Sequence, residues 1–297
     1  MLIPIDMKKI FFLLASVMIL TACQNDSEEQ PATKGEGRLT FQIVNYEQFS
    51  LDDETTRGTD ALTIDSLSYL DMAVYDANTD TLVSHQHQAK GANGYATFSA
   101  TLPYGKYNVV LLGYEGSRQA IVTSPTNICF ADDFVPDFFY KTLAVTIDKP
   151  ETTAQNVALQ RSVAAFTINS QGQNPANLDS LAISSQGGSH HFNALTGKGA
   201  TVEERTYTYN MSGRAGKNSF LNTFFTFLTE DECTMNFTAT AYDAQKNVLR
   251  TRQFTDVPMK VNQRTRYTGN FFTADQSAAG FTLSLDYKKW EDKDFNY

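Results

Sequence analysis

The sequence predicts an all-β protein made of two successive antiparallel β-sandwiches. Nearly every apolar stretch either alternates with period two or is rich in β-branched and aromatic residues, as strands facing a core do. No window carries a capped apolar stripe of period 3.6, so amphipathic helices are not expected. Turn signals recur about every 8 to 15 residues, a spacing that favours sandwiches over one long barrel. The 297 residues, 41% hydrophobic and 12% aromatic, suffice for a large core and for two domains.

Residues 1–22 read as a signal peptide. Lys8 and Lys9 precede the apolar run Ile10–Leu20, which ends in Leu20-Thr21-Ala22-Cys23. The run is too short for a hydrocarbon layer of ~30 Å, which needs about 20 helical residues. Met7 is the more natural start, because the preceding residues place Asp6 ahead of the basic region. Leu-Thr-Ala-Cys resembles the lipobox of bacterial lipoproteins, which makes Cys23 the acylated first residue of the mature chain. Two or more acyl chains give stable membrane attachment.

Residues 23–37 read as a lipidated linker, since Gln24-Asn25-Asp26-Ser27-Glu28-Glu29-Gln30-Pro31 has nothing to bury. Its acidic cluster also resembles the surface-export signal of Bacteroidales lipoproteins, although a solvated tether has the same composition. Loss of Lys8, Lys9 and Asp6 leaves a mature net charge of about −10. That balance excludes a basic stripe for nucleic acid and opposes adsorption to anionic lipid, so the lipid itself is expected to hold the membrane.

The N-terminal sandwich is expected over 38–149. Its strands are Arg38–Tyr46, Leu67–Tyr75, Tyr95–Leu102, the nearly continuous apolar run Tyr107–Tyr114 suited to a central position, and Leu143–Ile147 as the last. Lys149-Pro150-Glu151 marks the boundary. The C-terminal sandwich, 150–297, opens with Val157–Ile168. It continues through Leu178–Ser184, Thr206–Met211, Asn222–Leu228, Thr234–Tyr242, Val248–Phe254 and Arg266–Phe272. Phe281, Leu283, Leu285 and Tyr287 close it at period two.

Two echoes suggest duplication. Asp65-Ser66-Leu67 recurs as Asp179-Ser180-Leu181, and Tyr114-Glu115-Gly116 has a counterpart in Tyr242-Asp243-Ala244. The second half then needs an insertion of about 14 residues between them. Tyr242-Asp243-Ala244 equally matches Tyr75-Asp76-Ala77 at a hairpin.

No catalytic pattern emerges, and the chain is not expected to be an enzyme. A Gly-x-Ser-x-Gly elbow, a phosphate loop and a dinucleotide fingerprint are all missing from the sequence. Gly187-Gly188 and Gly197-Lys198-Gly199 lack the strand-then-helix setting of a phosphate cradle. The carboxylate groups Asp52-Asp53-Glu54, Asp132-Asp133 and Glu203-Glu204 lie in loop-like sequence and read as solvated charge. His85-Gln86-His87 puts two imidazoles on one strand face and His190-His191 supplies two more, but no third ligand stands at zinc-site spacing. No metal and no cofactor are expected. An oxidising compartment permits a disulfide between Cys129 and Cys233, but they fall in different domains and read as two buried thiols. Aromatic residues at alternating positions read as core, with a carbohydrate platform as the competing use. Asp65-Ser66-Leu67, Asp80-Thr81-Leu82 and Asp179-Ser180-Leu181 resemble the Bacteroidales O-glycosylation motif, and simple turns would look the same.

A family resemblance rests on five further segments in order. They are Leu39-Thr40-Phe41-Gln42-Ile43, Met72-Ala73-Val74-Tyr75-Asp76, Leu102-Pro103-Tyr104-Gly105-Lys106-Tyr107-Asn108-Val109-Val110, Val157-Ala158-Leu159-Gln160-Arg161-Ser162-Val163-Ala164-Ala165, and Asn262-Gln263-Arg264-Thr265-Arg266-Tyr267-Thr268-Gly269. With the lipobox, they make the chain resemble the FimB-like fimbrial anchor and accessory subunits of Bacteroidales, whose two domains are transthyretin-like sandwiches.

The resemblance implies an outer-membrane, surface-exposed lipoprotein that joins fimbrial pilin subunits by strand exchange. It also implies a candidate protease site at Arg57, within Thr55-Thr56-Arg57-Gly58-Thr59, and a C-terminal donor strand carrying Phe281, Leu283, Leu285 and Tyr287. The same four residues read equally as the last internal strand of the second sandwich. A polysaccharide-binding surface lipoprotein is the alternative function.

Overall fold

The computed structural model describes residues 35–47, 64–150, 152–273 and 280–286. No helix among them is long and apolar enough to cross a membrane. The first sheet contains β1 (Glu36–Glu47), β2 (Tyr69–Asp76), β3 (Leu82–Ala89), β4 (Thr97–Pro103) and β5 (Gly105–Tyr114). After the hairpin β6 (Ala120–Ser124) and β7 (Asn127–Phe130), it is completed by β8 (Phe138–Ile147) and β9 (Thr152–Arg161). Its order is β3-β2-β5-β8-β9-β1-β4. Only two residue pairs join β8 to β9, Phe139 with Arg161 and Tyr140 with Gln160. At that narrow seam the sheet folds over, so β1, β4 and β9 enclose one core with β2, β5 and β8, built on Leu39, Phe41, Phe98, Met72, Leu111 and Leu159.

The second half contains β10 (Val163–Gln173), β11 (Ser180–Gln186), β12 (Phe192–Asn193), β13 (Lys198–Gly199), β14 (Glu204–Asn210) and β15 (Asn218–Phe227). It continues with β16 (Glu232–Tyr242), β17 (Val248–Lys260), β18 (Arg264–Gly269) and β19 (Phe281–Asp286). Sheets β15-β10-β18-β19 and β14-β11-β16-β17 face each other across a core centred on Phe166. The Phe166 ring stacks on Phe237 at 4.1 Å and meets Phe254 edge-on at 5.2 Å. The chain is thus all-β in antiparallel-rich sheets, as the period-two pattern predicts.

The two halves share one topology. β1 pairs with β4 antiparallel and β9 parallel; β10 pairs in the same way with β15 and β18. β2 lies between β3 and β5, and β11 between β14 and β16. β5 then pairs with β8 as β16 does with β17. The Asp-Ser-Leu echo falls just before β2 in the first half and at the start of the equivalent strand β11 in the second, three residues out of register, while Tyr114 and Tyr242 end the equivalent strands β5 and β16. The extra residues expected in the second half are the β12–β13 segment.

The competing echo is also real, but local. Asp76 accepts hydrogen bonds from the Asn78 and Thr79 amides, and Asp243 from those of Gln245 and Asn247. Each turn finishes on a residue at positive φ, Asp80 and Lys246. The same turn chemistry serves two non-equivalent hairpins.

Each half carries one insertion into the shared topology, β6–β7 in the first and β12–β13 in the second. The insertions pair with each other, Phe192 opposite Ile128, in the sheet β13-β12-β7-β6. Beneath them lies a third core made by both halves, with Tyr75, Leu112, Tyr114 and Phe138 from one and Val163, Ala165, Phe225 and Phe227 from the other. β5 feeds Val109 and Leu111 to the first core and Val110 and Leu112 to this shared one. Burial on both faces is why Tyr107–Tyr114 reads as a continuous apolar run.

The sheets change at Ser162, later than the boundary read at 149/150. Val157–Ile168, expected to open the second half, is two strands: β9 completes the first core through Val157 and Leu159, and β10 enters the second. β8, expected to end the first half, is followed by β9.

Candidate functional site

Two places carry side chains that the scaffold alone does not require: the C-terminal edge and the cluster where the insertions meet. At the edge, β19 runs antiparallel to β18, from Phe281 opposite Gly269 to Asp286 opposite Arg264. Among the described residues it has no counterpart in the first half, where β9 is flanked on the same side by a short stretch of β8. Phe281 is half-buried against Phe254, 5.3 Å between ring centroids. Asp286 takes Arg264 Nε at 3.0 Å and Arg266 Nη2 at 2.7 Å. Between these fixed ends Leu283 and Leu285 are 44% and 37% exposed. Among the described residues β19 is the outermost strand of its sheet, and such an edge with exposed leucines is a surface for β-pairing with another chain.

Gly269 makes room for this strand. A Cβ there would stand 2.5 Å from Gly280 O and 2.9 Å from the Phe281 ring. Any side chain at 269 pushes β19 away.

At the junction, Arg205 is buried and holds both halves. Its Nη1 donates to Asp133 O at 2.9 Å, its Nη2 donates to Phe225 O, and its guanidinium lies 4.1 Å over the Phe224 ring. Burial pulls its pKa down to about 10. Beside it stand His190, His191 and Glu203. His190 Nε2 is 3.1 Å from Asp133 Oδ1 and its Nδ1 is 2.6 Å from Glu203 Oε2. His191 Nδ1 is 3.3 Å from Glu203 Oε1, which also accepts from Thr201 Oγ1 at 2.8 Å. Burial, then the neighbouring His191, lowers the His190 pKa. Burial alone would raise that of Glu203, but the Thr201 hydroxyl and the two imidazoles hold it below the usual carboxylate value. Sequence reading had these residues as unrelated loop groups; the fold brings them together.

Cys23, Arg57, Tyr287 and Asp52-Asp53-Glu54 lie outside the described residues. Phe281, Leu283 and Leu285 form the last strand of the second half in this structure. His85 and His87 do share a strand face, and both turn to the buried Asp71, at 2.6 and 3.1 Å. The Tyr114 hydroxyl donates to its other oxygen at 2.7 Å. Cys129 and Cys233 are unpaired, and neither is buried as expected: Cys129 is half-buried and Cys233 exposed. Of the glycosylation-motif hydroxyls, Thr81 is exposed, Ser66 half-buried and Ser180 buried.

Gly188 sits at φ 74°, where a Cβ would collide with Thr226 Oγ1; its role is close approach, not phosphate binding. The large apolar side chains left exposed among the described residues are aliphatic, and the aromatic ones are buried or half-buried. The open depression of about 580 Å³ on β14, β11, β16 and β17 is lined instead by groups such as Ser184, Thr206, Asn236, Thr238 and Gln253.

No curated protein matches this sequence. Among solved structures, a candidate adhesin from Bacteroides ovatus is 13% identical, with 80% of this chain and 88% of that chain covered and a TM-score of 0.47. The fimbrial anchor protein Mfa2 from Porphyromonas gingivalis is 11% identical over 84% of this chain and 95% of its own, TM-score 0.42. The tip fimbrial protein Mfa3 from the same organism, with C-terminal truncation, is 12% identical over 84% and 99%, TM-score 0.38. Likenesses this loose say nothing of mechanism. The profile of a family described as a family of unknown function (DUF6562) matches residues 119–294, more than half of the chain. The chain belongs to the DUF6562 family.

Proposed function

We propose that this protein is a lipid-anchored accessory subunit of a surface fimbria, held in the outer membrane by acylated Cys23 and joined to a pilin through its C-terminal edge. The observation that carries the reading is β19, a strand outside the repeated topology that presents Leu283 and Leu285 on an open edge. Pairing along such an edge gives affinity through main-chain hydrogen bonds, and alternate side chains give register. The lipobox puts the membrane end on the chain leading into β1, in the first half, while β19 belongs to the second. Membrane attachment and partner attachment are then separate jobs of separate halves.

In this reading Phe281, Leu283 and Leu285 either receive a pilin strand while docked on β18 or leave it to be donated. Retention of the segment before Gly58 makes the subunit an anchor; cleavage after Arg57 would release it from Cys23. Mass spectrometry of the N-terminal peptide from surface-exposed protein separates these. An acylated Cys23 is expected, and a terminus at Gly58 would instead indicate a processed stalk or tip subunit.

Polysaccharide binding is the second reading, favoured by the hydroxyl- and amide-lined depression on β14, β11, β16 and β17. Stacking aromatics are missing from its exposed face, since Phe237 and Phe254 in its wall are buried. Affinity electrophoresis in a panel of polysaccharides tests it, with unretarded migration as the expected result.

A further inference from the structure

The cluster beside Arg205 joins the two insertions, and its chemistry is incomplete as it stands. His190 Nδ1 and Glu203 Oε2 are both shielded from water and lie 2.6 Å apart, yet neither has an aligned hydrogen bond. Asp133 Oδ1, 3.1 Å from His190 Nε2, is the natural acceptor for the single N–H of a neutral imidazole. The Nδ1 lone pair then faces a carboxylate oxygen. Two lone pairs at that distance repel unless a proton or a metal ion lies between them, and no N–H on Nδ1 is aligned with Oε2.

The His191 Nδ1 adds a third donor, and one ligand atom from each of His190, His191 and Glu203 falls within 4.8 Å of the others. We propose that His190, His191 and Glu203 bind a divalent transition metal, zinc by the chemistry of two imidazoles and a carboxylate, and that the ion, through the Asp133 carboxylate behind His190, stiffens the contact between the two insertions.

The geometry needs little change. Zinc at about 2.0–2.1 Å from each donor sets neighbouring donors about 3.3 Å apart. His191 Nδ1 is already 3.3 Å from Glu203 Oε1, while His190 Nδ1 faces the other oxygen, Oε2, at 2.6 Å, so the carboxylate turns to offer one oxygen to both rings. The half-exposed side of His191 leaves the fourth position to solvent. Asp133 behind His190 is the outer carboxylate that orients a metal-bound histidine and fixes its tautomer. Thr201 does the same for Glu203.

The assignment also accounts for Asp132 and Asp133, consecutive non-glycine residues at φ 57° and 53°. That turn aims the Asp133 carboxylate at His190 while Arg205 fixes its carbonyl. Because Asp133 comes from the first half and the three ligands from the second, the ion would stiffen the junction.

The test uses the full mature chain, stripped with chelator and titrated with Zn²⁺ by calorimetry and with Co²⁺ by absorption spectroscopy. The expected result is one ion per chain, tetrahedral-type Co²⁺ bands displaced by Zn²⁺, and a rise in Tm with Zn²⁺. His191→Ala and Glu203→Gln, both at partly exposed positions, abolish all three while the far-ultraviolet circular dichroism stays that of the parent. Asp133→Asn weakens binding about 10–100-fold. His85→Ala/His87→Ala, at the other histidine pair, leaves it unchanged. No binding by the folded parent chain overturns the proposal, and so does binding that survives Glu203→Gln.

Discussion

Asp137 grips Arg161 through two parallel hydrogen bonds, Nε to Oδ1 at 2.7 Å and Nη2 to Oδ2 at 2.6 Å, where the chain leaves the first sheet for the second. Both side chains are almost fully buried, 1% and 2% exposed. The guanidinium also lies 4.8 Å from the Phe139 ring centroid and reaches Asn262 Oδ1 at 3.3 Å in the turn between β17 and β18. One buried ion pair therefore ties the end of the first sheet to the turn between β17 and β18.

Breaking this pair from one side strands a buried charge. Arg161→Met or Asp137→Asn is expected to cost about 3–5 kcal/mol in urea unfolding, and Arg161→Met/Asp137→Leu to recover most of the loss. A double variant no better than either single one would show that the pair matters for more than its own charges.

The insertions hold the halves together by apolar contact as well. Phe192 is fully buried, with Phe138, Phe227 and Tyr140 at 5.1, 5.0 and 4.8 Å between ring centroids. Phe192→Ala is expected to lose about 3–5 kcal/mol. If the junction is one cooperative unit, far- and near-ultraviolet circular dichroism will report a single coincident transition in the parent and two in this variant.

Gly269→Val places a branched side chain against Gly280 O and Phe281. Hydrogen exchange across 281–286 is expected to speed up, while β10 and β15, paired on the far side of β18, keep their protection. Unchanged exchange at Leu283 and Leu285 would mean that β19 is held by something other than this approach.

The two aspartate turns set an acid limit. Asp76 is held below the ordinary 3.8 of aspartate chiefly by the Asn78 amide, and Asp243 chiefly by the Asn247 side chain. A carboxylate with a lowered folded-state pKa stabilises fully above its unfolded value and ceases to as pH falls through the lower folded value. Both hairpins should therefore hold at pH 5 and loosen progressively below about pH 4. Amide exchange at Asn78 and Asn247 reads this directly, and Asp76→Asn/Asp243→Asn should remove the pH dependence.

The sequence carried the strands well where one face met one core, as in Leu39, Phe41 and Ile43 on β1. It failed at Ser162, because the alternation of Val157 and Leu159 runs on in phase through Val163 and Ala165 while the chain changes sheets. β12 and β13 are two residues each, too short for any period to show. The duplication was visible in two three-residue echoes, which only the pairing pattern could align. The histidine cluster was not legible: Glu203 stands twelve residues after His191 across both short strands, and Asp133 comes from the other half.

Removal of the C-terminal edge tests most directly whether that edge joins this subunit to a fibre. Affinity purification of the acylated protein from its native surface should bring down a pilin, and the chain ended after Gly280 should bring down none while still folding and reaching the membrane. Equal recovery of pilin with the shortened chain would contradict the account and place the contact elsewhere on the molecule.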